Sequence, residues 1–114
     1  MPVQQGSDEI ILVEIASEPQ FSEDLAGVND RLDNRLQHVV LNMAGVRHLN
    51  SSNLAQLLRV RKRVEENGYH FSLCSVPDGV WGVMLVTGLD KIFTLAEDVP
   101  SALASMQLDE PDSP

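Results

Sequence analysis

Cysteine, basic residues and long apolar runs are all scarce in this sequence of 114 residues. The single cysteine, Cys74, excludes an internal disulfide framework and any cysteine-rich metal cluster. Only 8 Lys and Arg stand against 17 Asp and Glu, and the resulting net charge of -9 excludes general nucleic-acid binding and disfavours an anionic membrane surface. No apolar run approaches the ~20 residues that span a bilayer, so membrane insertion is not expected. The polar, acidic start of the chain does not resemble a secretory signal, which predicts a cytoplasmic protein.

Residue patterns that carry catalysis, metals or cofactors are also missing. The glycines form neither a phosphate-binding loop nor a dinucleotide fingerprint. The histidines, His38, His48 and His70, are scattered, and no His-x-x-x-His or Cys-x-x-Cys pair offers metal ligands. No serine lies in a nucleophile-elbow pattern, and Cys74 is interpreted as a buried, inert thiol at the end of an apolar strand. We therefore predict no catalytic residue, no metal and no cofactor in a protein that is not an enzyme.

Hydrophobic periodicity divides the chain into alternating strands and helices. The strands are predicted at 10–15, 39–43, 69–74 and 92–95. The first helix is predicted at 21–36, and the second begins within the polar segment 49–54 and runs to about 66. The third is predicted at 77–86 and the last from 98 or 99 to 106. This alternation predicts an α/β domain with a mainly parallel sheet. The length fits one domain, placed at 9–107, between a polar N-terminal tail at 1–8 and an acidic C-terminal tail at 108–114.

Three features of the predicted helices admit a structural and a functional interpretation. The third helix is apolar around most of its circumference, which favours burial of most of it; the alternative exposes part of it, Trp81 especially, to a partner. The basic residues 59–63 of the second helix are interpreted as a solvated face at the favourable dipole end, or as a contact for an acidic partner. Ser22 is a candidate N-cap of the first helix.

Two motifs resemble the STAS domain of anti-sigma-factor antagonists. The first joins the apolar strand 39–43 and its Gly-Val turn to the segment Leu49-Asn50-Ser51-Ser52-Asn53-Leu54; the second is T-G-L-D-K-I-F at 87–93. With the final helix, the resemblance covers roughly residues 38–106. It implies a single STAS-like α/β domain, with a small, mostly parallel four-stranded sheet and helices packed largely on one side.

The resemblance also implies a site at the start of the second helix. In the family, a serine-kinase anti-sigma factor phosphorylates the residue that follows a signature Asp, and the matching residue here is Ser51. Asn50 stands in place of that Asp, and Asn53 in place of a family Gly. A phosphate on Ser51 would be stabilised by the helix N-terminus and would add ~-1.5 to -2 charges to the surface. The residues expected to frame the docking surface are Asn50, Ser52, Asn53 and Leu54, with Arg61 as a further candidate one or two turns along the helix.

The functional hypothesis is a non-catalytic switch that binds a serine-kinase anti-sigma factor, or a related regulatory protein, and is controlled by phosphorylation of Ser51. One alternative is a constitutive STAS adaptor in a regulatory complex, a transporter or a lipid-trafficking assembly. A second alternative is a small enzyme or nucleotide-binding domain, for which the sequence offers no acid–base pair and no phosphate cradle. Two further points stay open: Ser51 and Ser52 as ordinary helix caps, and a homodimer.

Overall fold

The computed structural model describes residues 10–108, and of residues 107 and 108 only the backbone. Four strands alternate with four α-helices along these residues, and a short 3-10 helix precedes the last strand. In chain order the elements are β1 (Ile10–Ala16), α1 (Gln20–Asn34), β2 (His38–Gly45), α2 (Ser51–Glu66), β3 (Phe71–Cys74), α3 (Asp78–Thr87), the 3-10 helix (Leu89–Lys91), β4 (Thr94–Ala96) and α4 (Val99–Leu108). The predicted α/β class is confirmed. The predicted N-terminal tail at 1–8 and residues 109–114 of the predicted C-terminal tail lie outside the described residues, whereas Leu108 is the last residue of α4.

The strands form one parallel sheet in the order β1-β2-β3-β4. Neighbouring strands are in register, so that Leu41 of β2 lies between Val13 of β1 and Leu73 of β3. Each parallel connection returns through a helix, because two parallel strands cannot be joined by a short hairpin. The loops that follow the strands, including the one before α2, therefore collect at the carboxyl edge of the sheet.

The two faces of the sheet are covered unequally. Side chains alternate along each strand, so Val39 and Leu41 join one core while Val40 joins the other. The larger core includes buried side chains of α1, α2 and α3, and the smaller one includes Ala102 and Met106 of α4. Three helices on one face and one on the other confirm the prediction of helices packed largely on one side.

Helix α1 begins differently from the sequence prediction. Ser22 is its third residue and not its N-cap, which is Pro19. The Glu18 carboxylate accepts hydrogen bonds from both the Ser22 backbone N–H, at 3.0 Å, and the Ser22 hydroxyl, at 2.6 Å. Glu18 therefore satisfies a free N–H of the first turn, and the predicted cap at Ser22 is wrong.

Helix α3 is the other departure. Among its residues only Val80 and Met84 are buried, whereas Trp81 is 36% exposed, Leu85 51% and Val86 88%. The prediction that most of this helix is buried is wrong, and the alternative, exposure of Trp81, is confirmed. Gly88 ends the helix with φ of 78°, a left-handed conformation that glycine adopts at low cost.

Cys74 lies at the end of β3 and is fully buried, as predicted. Burial raises the pKa of its thiol, so the nucleophilic thiolate form is disfavoured. Among residues 10–108, no helix combines the length and the hydrophobicity that crossing a membrane requires.

Candidate functional site

The predicted site lies where the chain enters α2, at the carboxyl edge of the sheet; we call residues 50–54 the α2 corner. Asn50 is the N-cap of α2, with an extended backbone conformation, and Ser51 is the first helical residue. Asn50, Ser51 and Ser52 are all exposed. The hydroxyl proposed to accept phosphate is therefore on the surface of the chain and not sealed beneath another segment.

A reciprocal pair of hydrogen bonds fixes the backbone of the α2 corner. The Asn53 backbone N–H donates to the Asn50 side-chain oxygen at 2.7 Å, and the Asn50 backbone N–H donates to the Asn53 side-chain oxygen at 3.1 Å. This is a capping box built from two asparagines. The pair holds the first turn of α2 in one conformation, and so fixes the direction in which Ser51 and Ser52 leave the helix.

Ser51 and Ser52 carry the free polar groups of this turn. Within residues 10–108, neither their backbone N–H groups nor their hydroxyls have a hydrogen-bond partner, whereas the next two N–H groups bond to Asn50. Unpaired N–H groups at a helix start carry partial positive charge and favour an anion. The α2 corner thus presents a hydroxyl and two free donors side by side to solvent.

A polar network beneath the corner joins α2 to the start of α1. The Asn53 side-chain amide donates to Glu18 Oε2 at 2.9 Å and to Gln56 Oε1 at 3.2 Å. The Gln56 amide donates to Ser22 Oγ at 3.2 Å, and Ser22 in turn donates to Glu18. Four side chains from two segments therefore form one connected set that anchors the corner.

The loop before the corner has a second anchor. Ser17 Oγ, which follows β1, accepts hydrogen bonds from the backbone N–H groups of Arg47 at 2.7 Å and His48 at 3.4 Å. At the end of β2, Gly45 lies so close to β1 that an added Cβ would be 3.2 Å from the Ile15 carbonyl oxygen. The absence of a side chain at Gly45 thus lets the loop leave the sheet next to the β1–α1 connection.

A shallow groove of about 180 Å³ runs between α1 and α2 beside this network. It is lined by Ser22, Leu25, Ala26, Asn29, Gln56 and Arg59. Arg59 is exposed and has no ion-pair partner within residues 10–108. The groove next to the corner therefore combines hydrogen-bonding groups with the positive charge of Arg59.

The structure places the predicted site residues in four different settings. Asn50, Ser51 and Ser52 lie together on the surface, whereas Asn53 is 1% exposed and supports them from below. Leu54 is half-buried and packs against the larger core. Arg61 is not brought to the corner: it lies ten residues beyond Ser51, about 15 Å along the helix, and pairs with Glu65 at 3.1 Å. Contact of each of these residues with a partner stays a prediction.

The sequence prediction missed Glu18, Ser17, Ser22 and Gln56 as parts of this site. The spacing of Asn50 and Asn53 signals a capping box, because the two polar side chains lie three residues apart at a helix start. Nothing in the sequence pairs Glu18 with Asn53, since 35 positions separate them. The pairing depends on β1 and β2 lying side by side.

Replacing Glu18 should change how stability depends on pH. The Ser22 hydroxyl and N–H, and more weakly Asn53, lower the pKa of the Glu18 carboxyl below its ordinary value. A lowered folded-state pKa adds stability above the unfolded pKa of ~4.3, and this stability is lost as the pH falls through the folded value. In urea unfolding, Glu18→Gln should therefore narrow the difference in unfolding free energy between neutral and acidic pH. Ser22→Ala should narrow it in part, and an unchanged difference in both variants would contradict this account.

The residues present do not assemble a metal site in the described part of the chain. No group of three or more His, Cys, Asp or Glu side chains that could hold an ion occurs among residues 10–108. The chemistry at the corner is that of hydroxyls, amides and one carboxylate. Such an arrangement suits recognition by another protein and modification of a hydroxyl.

A family model described as STAS domain matches residues 5–102. Among solved structures, an anti-sigma-factor antagonist (STAS) domain protein from Planctomyces limnophilus is 25% identical, with 80% of each chain covered and a TM-score of 0.69. A candidate anti-sigma factor antagonist from Thermotoga maritima is 19% identical, with 88% of this chain and 89% of that chain covered and a TM-score of 0.76.

A sulfate transporter family protein from Wolinella succinogenes also has this fold. It is 21% identical, with 95% of this chain and 90% of that chain covered and a TM-score of 0.67. At the identities of the Thermotoga and Wolinella proteins, the likeness concerns the fold alone.

Proposed function

The chain belongs to the STAS domain family, and from this membership we propose that it acts as an anti-sigma-factor antagonist: a non-catalytic, cytoplasmic module that binds a serine-kinase anti-sigma factor. Ser51 is the proposed phosphoacceptor. The observation that carries the proposal is the exposed Ser51 hydroxyl on a rigid helix start with free N–H donors beside it. The Planctomyces limnophilus relative, an anti-sigma-factor antagonist at 25% identity, supports the same class of function.

The two asparagines that replace the family residues are compatible with this proposal. Asn50 keeps the hydrogen bond to the helix N–H that an Asp would accept, but it brings no negative charge next to Ser51. Asn53 is turned inward, where it closes the capping box and bonds Glu18, so its side chain does not occupy the outer surface. The outer surface offered to a kinase is thus left to Asn50, Ser51 and Ser52.

Phosphorylation of Ser51 would alter the surface without rearranging the fold. The phosphate would add ~-1.5 to -2 charges at a position where the helix N-terminus stabilises an anion. A partner packed against the corner would face both the added volume and the cost of desolvating a charge. The unmodified form would therefore be the one that binds.

A phosphorylation assay tests the proposal directly. The full chain is incubated with ATP and each purified anti-sigma-type serine kinase of the source organism, and intact mass is measured. We expect one phosphoryl group on the wild-type chain and none on Ser51→Ala, with Ser52→Ala still modified. No added mass with any kinase, or a phosphate that persists on Ser51→Ala, would refute Ser51 as the acceptor.

The second candidate is a constitutive adaptor of the same fold. It is favoured by the loss of the signature Asp and Gly at Asn50 and Asn53, and a sulfate transporter family protein shares the fold. Such an adaptor would hold its partner whether or not Ser51 carries a charge. Equal partner affinity of wild type and Ser51→Asp would refute the phosphorylation switch and favour the constitutive adaptor.

A further inference from the structure

Beyond its first residue, Asp78, the outward side of α3 is an apolar surface without charge. Between Asp78 and Asp90 the sequence contains no acidic or basic residue, although the chain as a whole carries a net charge of -9. Trp81 and Leu85 lie one turn apart on this side, and Val86 continues it. Ile92, just after the 3-10 helix that packs on α3, is 42% exposed. We call Trp81, Leu85, Val86 and Ile92 the α3 patch.

The α3 patch concentrates most of the exposed large apolar side chains of the described residues. Among the described residues five large apolar side chains are exposed; four belong to the α3 patch, and the fifth is Leu12 on β1. Exposed apolar side chains concentrated on one element mark an interaction site more often than scattered single residues do. The exposure of these side chains therefore indicates a binding surface for a partner that is itself apolar.

The surface of α3 also permits close approach of a second helix. Gly82 lies on the same outward side, between the Trp81–Leu85 row and Val86. A Cβ built on Gly82 would meet nothing within 4 Å, so the helix backbone is open there. A large side chain from a facing helix can fill this notch, as in ridges-into-grooves packing.

We propose that the α3 patch is the contact surface of a homodimer, in which α3 packs antiparallel against α3 of a second copy. The observation in favour is charge complementarity at the ends of the helix. Asp78 at its start and Lys91 just beyond its end are both exposed, so an antiparallel two-fold contact brings each Asp78 to the partner's Lys91. Asp90, half-buried next to Lys91, is an acidic group that opposes this pairing.

The net charge opposes contact between two copies over most of the surface, and it opposes such contact least at the α3 patch. Two copies that each carry -9 repel one another across most of their surfaces, and the uncharged helix is where that repulsion is smallest. The four side chains and their rim would bury on the order of 1,000 Å² over both copies, which is the low end of specific interfaces. Interfaces of this size are typical of weak or transient complexes, so we expect dimer and monomer to be in equilibrium.

Sedimentation velocity of the full chain over a range of concentrations tests this dimer. We expect wild type to shift from monomer to dimer, and Leu85→Asp to raise the dissociation constant at least tenfold, because it places one charge from each copy in the centre of an apolar contact. Leu12→Asp is the matched control, since Leu12 is exposed to a similar degree on another element, and it should dimerise like wild type. Far-UV circular dichroism checks that both variants keep the fold.

A charge exchange tests the antiparallel arrangement. Asp78→Lys and Lys91→Asp should each weaken the dimer, and the double variant should regain most of the wild-type affinity. A wild-type chain that stays monomeric at all concentrations, or a dimer unaffected by Leu85→Asp, would overturn the proposal. A monomeric chain whose Leu85→Asp variant loses binding to a different protein would assign the α3 patch to that protein instead. Phosphorylation at Ser51 is read out separately, so neither proposal depends on the other.

Discussion

Replacing Asn53 with alanine should lower the free energy of unfolding by about 2–3 kcal/mol, more than expected for a polar side chain at a helix start. The Asn53 side chain forms one half of the capping box and also donates to Glu18 and Gln56, so the substitution removes three hydrogen bonds. The Asn50 backbone N–H then lacks its acceptor and the half-buried Gln56 side chain loses a donor, at a cost of ~1–3 kcal/mol. Because Asn53 is 1% exposed, water does not readily replace the missing amide.

Urea unfolding of matched variants checks this expectation. Ser52 is an exposed neighbour whose side chain makes no hydrogen bond within the described residues. The unfolding free energy of Ser52→Ala should therefore stay within ~0.5 kcal/mol of the wild-type value. Asn53→Gly restores the residue of the family signature and should still destabilise at least as much as alanine, because glycine also weakens the helix. Wild-type stability in Asn53→Gly would mean that the polar network beneath the corner contributes nothing.

Introducing a carboxylate at Ser51 should weaken binding to the proposed kinase partner at least roughly tenfold, which corresponds to 1.4 kcal/mol. The helix start tolerates Asp at this position, because its dipole favours a negative charge there. The loss arises in the complex, where a charge buried without a partner costs ~2–5 kcal/mol. This prediction depends on the proposed function, because the partner is defined by it.

Titration calorimetry with the kinase measures the effect. Ser51→Ala should bind like wild type, which separates loss of the hydroxyl from gain of charge. Ser105→Asp makes the same substitution on the exposed side of α4, across the sheet, and should also bind like wild type. Weakening by Ser105→Asp as large as that by Ser51→Asp would attribute the effect to net charge alone and contradict a specific site at the α2 corner.

Local patterns predicted most of the fold. The apolar residues Phe21, Leu25, Val28 and Leu32 recur on one face of α1, and all four are buried. The β-branched run of β1 and the apolar run of β2 are strands, and β2 is buried on both faces as its continuous apolar pattern indicates. These signals are short-range: the period of the element itself determines which side chains meet the core.

Other features depend on contacts that no local pattern contains. An all-apolar helix such as α3 is buried only when a further layer covers it, and the number of layers follows from the whole topology. At the candidate site, the motif located Ser51 and its neighbours, whereas Glu18 joined them only through the pairing of β1 with β2.

The hydrogen bond between Asn53 and Glu18 makes the α2 corner dependent on the folded sheet. It spans 35 positions and depends on β1 and β2 lying side by side. A nascent or partly unfolded copy contains the same serine but lacks the rigid turn that presents it. Under the proposed function, a kinase that recognises this turn would therefore phosphorylate only folded copies. The extent of phosphorylation would then depend on the amount of native protein and not on the rate of its synthesis.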